Sequence, residues 1–202
     1  MSPRSTPEER REHIAQAVWA VMSERGLSAV SVRSVAAEAQ VSVGSLQHIF
    51  PTRADLLIYS AELMIDRVVR RIAAEDRGGD PIDATLRLFA HLLPLTPESR
   101  VEMDVNVALI AESRALPRLE AIRDEAHRAL AEACQRAVER VAPHLPPAVV
   151  ERRAARLHAL TDGIALHLLH APPGGDQRWA LDLLRQELED LADGDGPAGR
   201  RP

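Results

Sequence analysis

Helix-start signals recur along this chain and constrain its fold more than any other feature. Thr6-Pro7-Glu8-Glu9 joins an N-cap hydroxyl, a proline at the first helical position and a carboxylate three residues after the cap. That combination begins a helix. Ile14, Ala17, Val18, Val21 and Met22 follow at helical spacing, and Gly26 offers the left-handed backbone that stops it. Further starts stand at Ser31, Ser42, Thr52-Arg53-Ala54-Asp55, Asp80-Pro81, Thr96-Pro97, near Pro117, near Pro147 and at Asp176, so the pattern predicts nine helices. Alternating Val, Ile, Thr and aromatic runs bounded by hairpin turns are missing. The fold class read from this is all-α.

A hydrophobic fraction of 46% in 202 residues is enough for a sizeable core. No apolar run approaches the roughly 18 residues of a membrane span. The first eleven residues are polar and charged rather than signal-like, so the expectation is a cytoplasmic protein with no membrane partner. Cys134 is the single cysteine, which excludes an internal disulfide and a cysteine-based zinc cluster. All 25 basic residues are arginine. The end of the chain, residues 194–202, has no apolar side chain larger than those of Ala and Pro to offset ordering and is expected to be a disordered tail.

Helix length organises the rest. The second and third helices span only about two turns each, joined by Gln40-Val41-Ser42, whereas those after Thr52 run to several turns. A helix, a short turn and a second short helix form the helix-turn-helix arrangement, whose second helix lies in the DNA major groove. Residues 1–52 therefore read as an N-terminal three-helix helix-turn-helix domain, and 53–193 as a second, larger helical domain. Ser42 caps the short third helix, leaving N-terminal amides that can face a phosphate. Gly44, without a side chain, lets the backbone approach the sugar-phosphate rail. Ser45, Gln47 and His48 are polar residues for the groove, while Leu46 and Phe50 fall on the opposite side, toward the first two helices. Pro51 ends the helix, Thr52 starts the next, and Arg53 stands where a phosphate would lie.

The segment from about Arg10 to Leu63, with SVRSVAAEAQVSVGSLQHIFPTRADLL at its centre, resembles the DNA-binding domain of the tetracycline-repressor (TetR) family of bacterial transcriptional regulators. Carried over position by position, the resemblance implies base and phosphate contacts at Ser31, Arg33, Ser42, Val43, Ser45, Gln47, His48 and Arg53. Three residues depart from the family pattern. Gln40 stands where a turn glycine is usual, Gln47 where an aromatic is commoner, and Ile49 where Tyr or His often sits. The remainder of the chain resembles the family in helix count and order. The function implied is a repressor that binds double-stranded operator DNA and is released by a small-molecule effector, with no cofactor.

Charge and apolar stripes bear on assembly. A DNA-binding domain is expected to be basic, yet the net charge is −5, and from Ser28 to Arg53 only Arg33 and Arg53 stand against Glu38. So mildly positive a face is expected to act as a dimer. Leu157, Leu160, Ile164 and Leu168, and then Leu181, Leu184, Leu188 and Leu191, form stripes at spacings of three and four. By spacing alone they pack equally well inside one subunit or between two. The family resemblance implies the second, a homodimer that presents recognition helices about 34 to 36 Å apart to a pseudo-palindromic operator.

In the middle helices, Phe89, Met103, Val107, Ile110 and Leu166 are placed to line an effector cavity, in a pattern that plain core would also produce. His167 and His170, with His158 and Asp162 nearby, make too small a set for a metal site, and none is expected. LLPLTPESRVEMDVNVALIAES resembles the family branch that includes choline-sensing regulators. A quaternary ammonium is held by several aromatic faces. Of two Phe, two Trp and one Tyr, Phe50, Trp19 and Tyr59 belong to or adjoin the DNA-binding domain, which leaves too few for a cage. The effector is therefore expected to be apolar and neutral or weakly polar, moving the fourth helix and changing the spacing of the two DNA-reading heads. The rival readings are a helical partner-binding scaffold without DNA binding and an enzyme. Against the enzyme, no glycine-rich phosphate loop, nucleophile elbow or carboxylate pair is present, and Ser45 with His48 lacks an orienting acid.

Overall fold

The computed structural model describes residues 6–172 and 174–194, so the expected tail beyond Gly194 lies outside the described residues. Among the described residues the regular elements are all helical. They are α1 Pro7–Arg25, α2 Val32–Glu38, α3 Val43–Ile49, α4 Arg53–Ala74, α5 Pro81–Ala90, α6 Pro97–Glu112, α7 Pro117–Val141, α8 Pro147–His170 and α9 Arg178–Ala192, with 3-10 turns at Leu27–Ala29 and Ser113–Ala115.

The starts follow from side-chain chemistry written in the sequence. The Thr6 hydroxyl accepts from the Glu9 amide while the Glu9 carboxylate accepts from the Thr6 amide. The two groups thus satisfy each other's orphan donors. Asp80 caps α5 by accepting from the amides of Ile82 and Asp83. At α9 the carboxylate of Asp176 accepts from the Arg178 amide, with Gln177 intervening as the N-cap.

The chain forms two compact units. Residues up to Val69 together with Val101–Asp124 make the first, and Arg70–Arg100 together with the residues from Glu125 make the second. The division differs from the sequence boundary at residue 52, because the core that α1, α2 and α3 share includes Leu56, Leu57, Ala61 and Met64 of α4, Val105 and Leu109 of α6, and Leu119 and Ile122 of α7. Leu46 and Phe50 thus belong to a core shared with α4, α6 and α7, and Phe50 meets Tyr59 of α4 with ring centres 5.2 Å apart.

In the second unit, α9 is fastened to α5 by Arg185 and Asp83 at 2.8 Å, and to α8 by Arg156, whose Nε and Nη2 both donate to Glu187. Arg100 caps the C-terminus of α8, donating to the carbonyls of Leu168, Leu169 and Ala171. A cation there answers both the unpaired carbonyls and the negative end of the helix dipole. Among the described residues no helix is long and apolar enough to cross a membrane.

Cys134 is fully buried in this unit. Burial, and then the nearby Asp162 carboxylate, push its thiol up to about 12. The thiolate is the reactive form. At pH 8 the folded protein should therefore resist iodoacetamide, with alkylation followed by mass spectrometry rising only as denaturant unfolds the chain; rapid labelling without denaturant would contradict this burial.

Candidate nucleic-acid interface

The turn between α2 and α3 is built from backbone geometry. Ser31 begins α2 with its hydroxyl accepting from the Ser34 amide, and Ser34 answers by accepting from the Ser31 amide. The helix closes when the Gln40 amide donates to the Ala37 carbonyl and the Val41 amide to the Ala36 carbonyl. This paired closure requires a left-handed residue after the last helical turn. Here that residue is Gln40, at φ 54°, the only non-glycine with positive φ among the described residues. A donor from outside the turn steadies it, since His13 Nε2 donates to the Ala39 carbonyl at 3.0 Å.

One face of α3 is sealed and the other is open. Leu46 and Phe50 are buried, with Val41 and Ile49 packed against the same core. Ser42, Val43, Gly44, Ser45, Gln47 and His48 are exposed, as are Ser31 and Arg33 on α2 and Thr52 before α4. The Ser42 hydroxyl accepts from the Ser45 amide at 3.1 Å. Thr52 is engaged in its own cap, donating to the Asp55 carboxylate and accepting from the Asp55 amide. A Cβ added at Gly44 would meet nothing within 4 Å. The chain's own packing therefore gives no reason for a glycine there.

Arg53 departs from its expected phosphate-facing role. Its guanidinium is directed into the protein, where Nε donates to the Val30 carbonyl at 3.1 Å, Nη2 to the Leu27 carbonyl at 3.3 Å and Nη1 to the Glu112 carboxylate at 2.6 Å.

Two cations beside α3 escaped the sequence reading. Arg10 and Arg11 line a cleft of about 360 Å³ together with Pro7, His48 and Ile49. The Arg11 guanidinium lies 4.5 Å from the Tyr59 ring centre and 5.0 Å from that of Phe50, a pair of cation-π contacts. Tyr59 donates to Glu8 at 3.0 Å. Burial and that carboxylate together raise the phenol above its ordinary value. A charge count that starts at Ser28 omits α1, although the Arg10-Arg11 pair was visible in the sequence.

The residues assigned to other roles lie as follows. Of the leucine and isoleucine stripes, Leu157, Ile164, Leu168, Leu184, Leu188 and Leu191 are buried within the single chain, while Leu160 and Leu181 are half-buried. The large apolar side chains left exposed on α8 and α9 are Leu166, Trp179 and Leu183, at 46%, 38% and 44%. Among the proposed effector residues Phe89 is buried, Met103 half-buried, and Val107, Ile110 and Leu166 exposed. His158 is buried with its ring 4.6 Å from that of His127, whereas His170 is exposed and donates to the Leu166 carbonyl.

Residues 14–59 match the family model for bacterial regulatory proteins of the tetR family, and residues 81–193 match that of the BetI-type transcriptional repressor, C-terminal. The chain belongs to the TetR family. This TetR-family regulator is 29% identical over 188 residues to the HTH-type transcriptional regulator PksA of Bacillus subtilis, covering 91% of this chain and 90% of that one. It resembles a crystal structure of a transcriptional regulator from Rhodococcus sp. Rha1 with a TM-score of 0.80 at 28% identity, over 92% of this chain and 98% of the other. The multidrug binding protein EbrR, complexed with imidazole, is similar with a TM-score of 0.60 at 27% identity, over 93% of each chain.

The TetR-family turn generates a stability prediction. A non-glycine residue held at positive φ costs about 1 kcal/mol, and glycine avoids that cost. Gln40→Gly should raise the unfolding free energy by up to about 1 kcal/mol, seen as a higher thermal midpoint by circular dichroism. An unchanged or lower midpoint would mean that Gln40 makes compensating contacts.

Proposed function

We propose that this TetR-family protein is a repressor that binds a pseudo-palindromic DNA operator as a homodimer and is released by a small-molecule effector. The observation that carries the reading is the open face of α3. Of the seven consecutive positions 42–48, all but the core residue Leu46 are exposed, and of the six exposed ones all but Val43 are small or polar; the glycine among them answers to no packing need within the chain. Ser45, Gln47 and His48 face the base edges, with Val43 available to a thymine methyl. Ser31, Ser42 and Thr52 hydrogen-bond the phosphates, and Arg33, Arg10 and Arg11 supply the charge that fixes the register. The two-fold surface is the part of α8 and α9 that bears Leu166, Trp179 and Leu183, with Leu160 and Leu181 at its edge. A dimer doubles the phosphate contacts that one weakly basic head makes, so affinity falls with salt by about 0.9 logarithmic units per unit log salt for each phosphate neutralised.

For the effector we propose an apolar, neutral or weakly polar small molecule. Outside the DNA-binding unit the aromatic residues are Phe89, which is buried, and Trp179, on the exposed side of α9. Two such rings do not make a cage for a quaternary ammonium. The effector acts through its different affinities for the DNA-bound and released spacings of the two heads. Val107 and Ile110, exposed on α6, are its proposed contacts, together with Met103 of the same helix. The multidrug binding protein EbrR, a similar chain, is complexed with imidazole in one crystal structure and with malachite green in another, both ring compounds. Isothermal calorimetry with choline or betaine should show no binding at micromolar concentrations, and a clear micromolar isotherm would overturn the assignment.

Gly44 tests the DNA reading. Leucine forms helix better than glycine by about 1 kcal/mol, and the space beside Gly44 is empty. Gly44→Leu should therefore melt at or above the wild-type midpoint yet lose the gel shift on duplexes that the wild-type protein selects from a random-sequence pool. Retained binding would refute the close approach of α3 to DNA.

A further inference from the structure

We infer that Arg53 is a positioning residue for DNA reading, a clasp through which the end of α6 sets where α2 begins; the inference rests on the operator-binding reading above. The clasp is a planar fork. One edge of the guanidinium, Nε and Nη2, holds the carbonyls of Val30 and Leu27, while Nη1 holds Glu112. Leu27 opens the 3-10 turn, and Val30 immediately precedes Ser31, the cap of α2. Glu112 is the last residue of α6.

Both ends of this linkage are anchored. On the α2 side Val30 is buried, and the Val30 amide is itself bonded to the Leu27 carbonyl. On the α6 side Val105 and Leu109 sit in the shared core, and the 3-10 turn that follows is tied down because Arg123 donates to the Ser113 hydroxyl, which donates to the Ile110 carbonyl. The charged pair is partly shielded, the Arg53 side chain 37% and that of Glu112 26% exposed. A shift of the end of α6 is therefore passed to Leu27 and Val30, and from them to the helix that supports α3. Lysine cannot replace the clasp, since its single ammonium cannot span two carbonyls and a carboxylate in fixed directions.

A phosphate contact and a clasp make opposite predictions for a charge-retaining substitution. The probe is a duplex that the wild-type protein selects from random-sequence DNA, with affinity measured at low and high salt. Amide hydrogen exchange of Ala29, Val30 and Val35 is measured without DNA. Arg53→Lys, Arg53→Ala and Glu112→Gln should each bind about tenfold more weakly or worse, the size of effect expected when a charge-assisted bond is lost. Their salt slopes should match the wild type, and the three amides should exchange faster than in the wild type.

The clasp is overturned if Arg53→Lys binds like the wild type while Arg53→Ala loses affinity together with about 0.9 of salt slope for the phosphate. It is likewise overturned if Glu112→Gln matches the wild type in both affinity and exchange. Should the wild-type protein select no duplex, the operator reading fails and exchange alone decides. Faster exchange in Arg53→Lys and Glu112→Gln would then support the clasp, and unchanged exchange would refute it.

Discussion

Seven residues are too few to hold a helix in water. α2 and α3 are each that length, and isolated helices below about 12 residues are marginal even for favourable sequences. What holds them is burial. Val35, Ala36, Leu46 and Phe50 are removed from water by α1, α4 and the last part of α6, and each large apolar side chain so buried contributes about 1.5 to 3 kcal/mol. The caps at Ser31 and Ser42 add about 1 kcal/mol each and fix the register. Because Leu46 and Phe50 face inward, Gly44, Ser45, Gln47 and His48 are turned outward. The recognition surface is thus the reverse side of a packing requirement, and whatever disturbs the core re-aims it.

This dependence explains why the compact unit is discontinuous in sequence. Val101–Asp124 packs in one unit with the residues up to Val69, and Val105, Leu109, Leu119 and Ile122 share the core of α1, α2 and α3. The part of the chain beyond the helix-turn-helix therefore contributes to the core of the unit that carries it. Changes at Val105, Leu109, Leu119 or Ile122 act on the recognition helix through the packing they share with it.

Local chemistry was legible in the sequence and distant pairing was not. Helix starts could be read where a cap and its partner lie three residues apart, as with Thr6 and Glu9 or Thr52 and Asp55, and at α8, which has no side-chain cap, from the proline that opens it. The exposed face of α3 followed from the placement of Leu46 and Phe50. Even the left-handed position of Gln40 was marked, by the glycine that usually stands there. Arg53 could not be read this way. Its partners Leu27, Val30 and Glu112 are 23 to 59 residues away, and an arginine at the start of a helix beside a recognition helix offers the same sequence signal whether it points outward or inward. The stripes of α8 and α9 left a similar ambiguity, because periodicity reveals that a face is covered without revealing by what. Leu157, Ile164 and Leu184 are covered from within the chain, while Leu183 and Trp179, at positions between the stripes, are left exposed.

The chain has no lysine, so its composition makes every cation look alike. The structure separates them. Arg53 bridges two carbonyls and a carboxylate, Arg11 lies over two rings, and Arg100 spans three carbonyls at the end of α8. These tasks use the flat, forked shape of guanidinium as well as its charge. Drift toward lysine would be harmless for an exposed cation such as Arg136, whose partner is one turn away on the same helix. At positions 11, 53 and 100 it would be a change of shape. The absence of lysine also removes the amines on which acylating enzymes act, so side-chain acylation cannot alter the charge this protein brings to DNA.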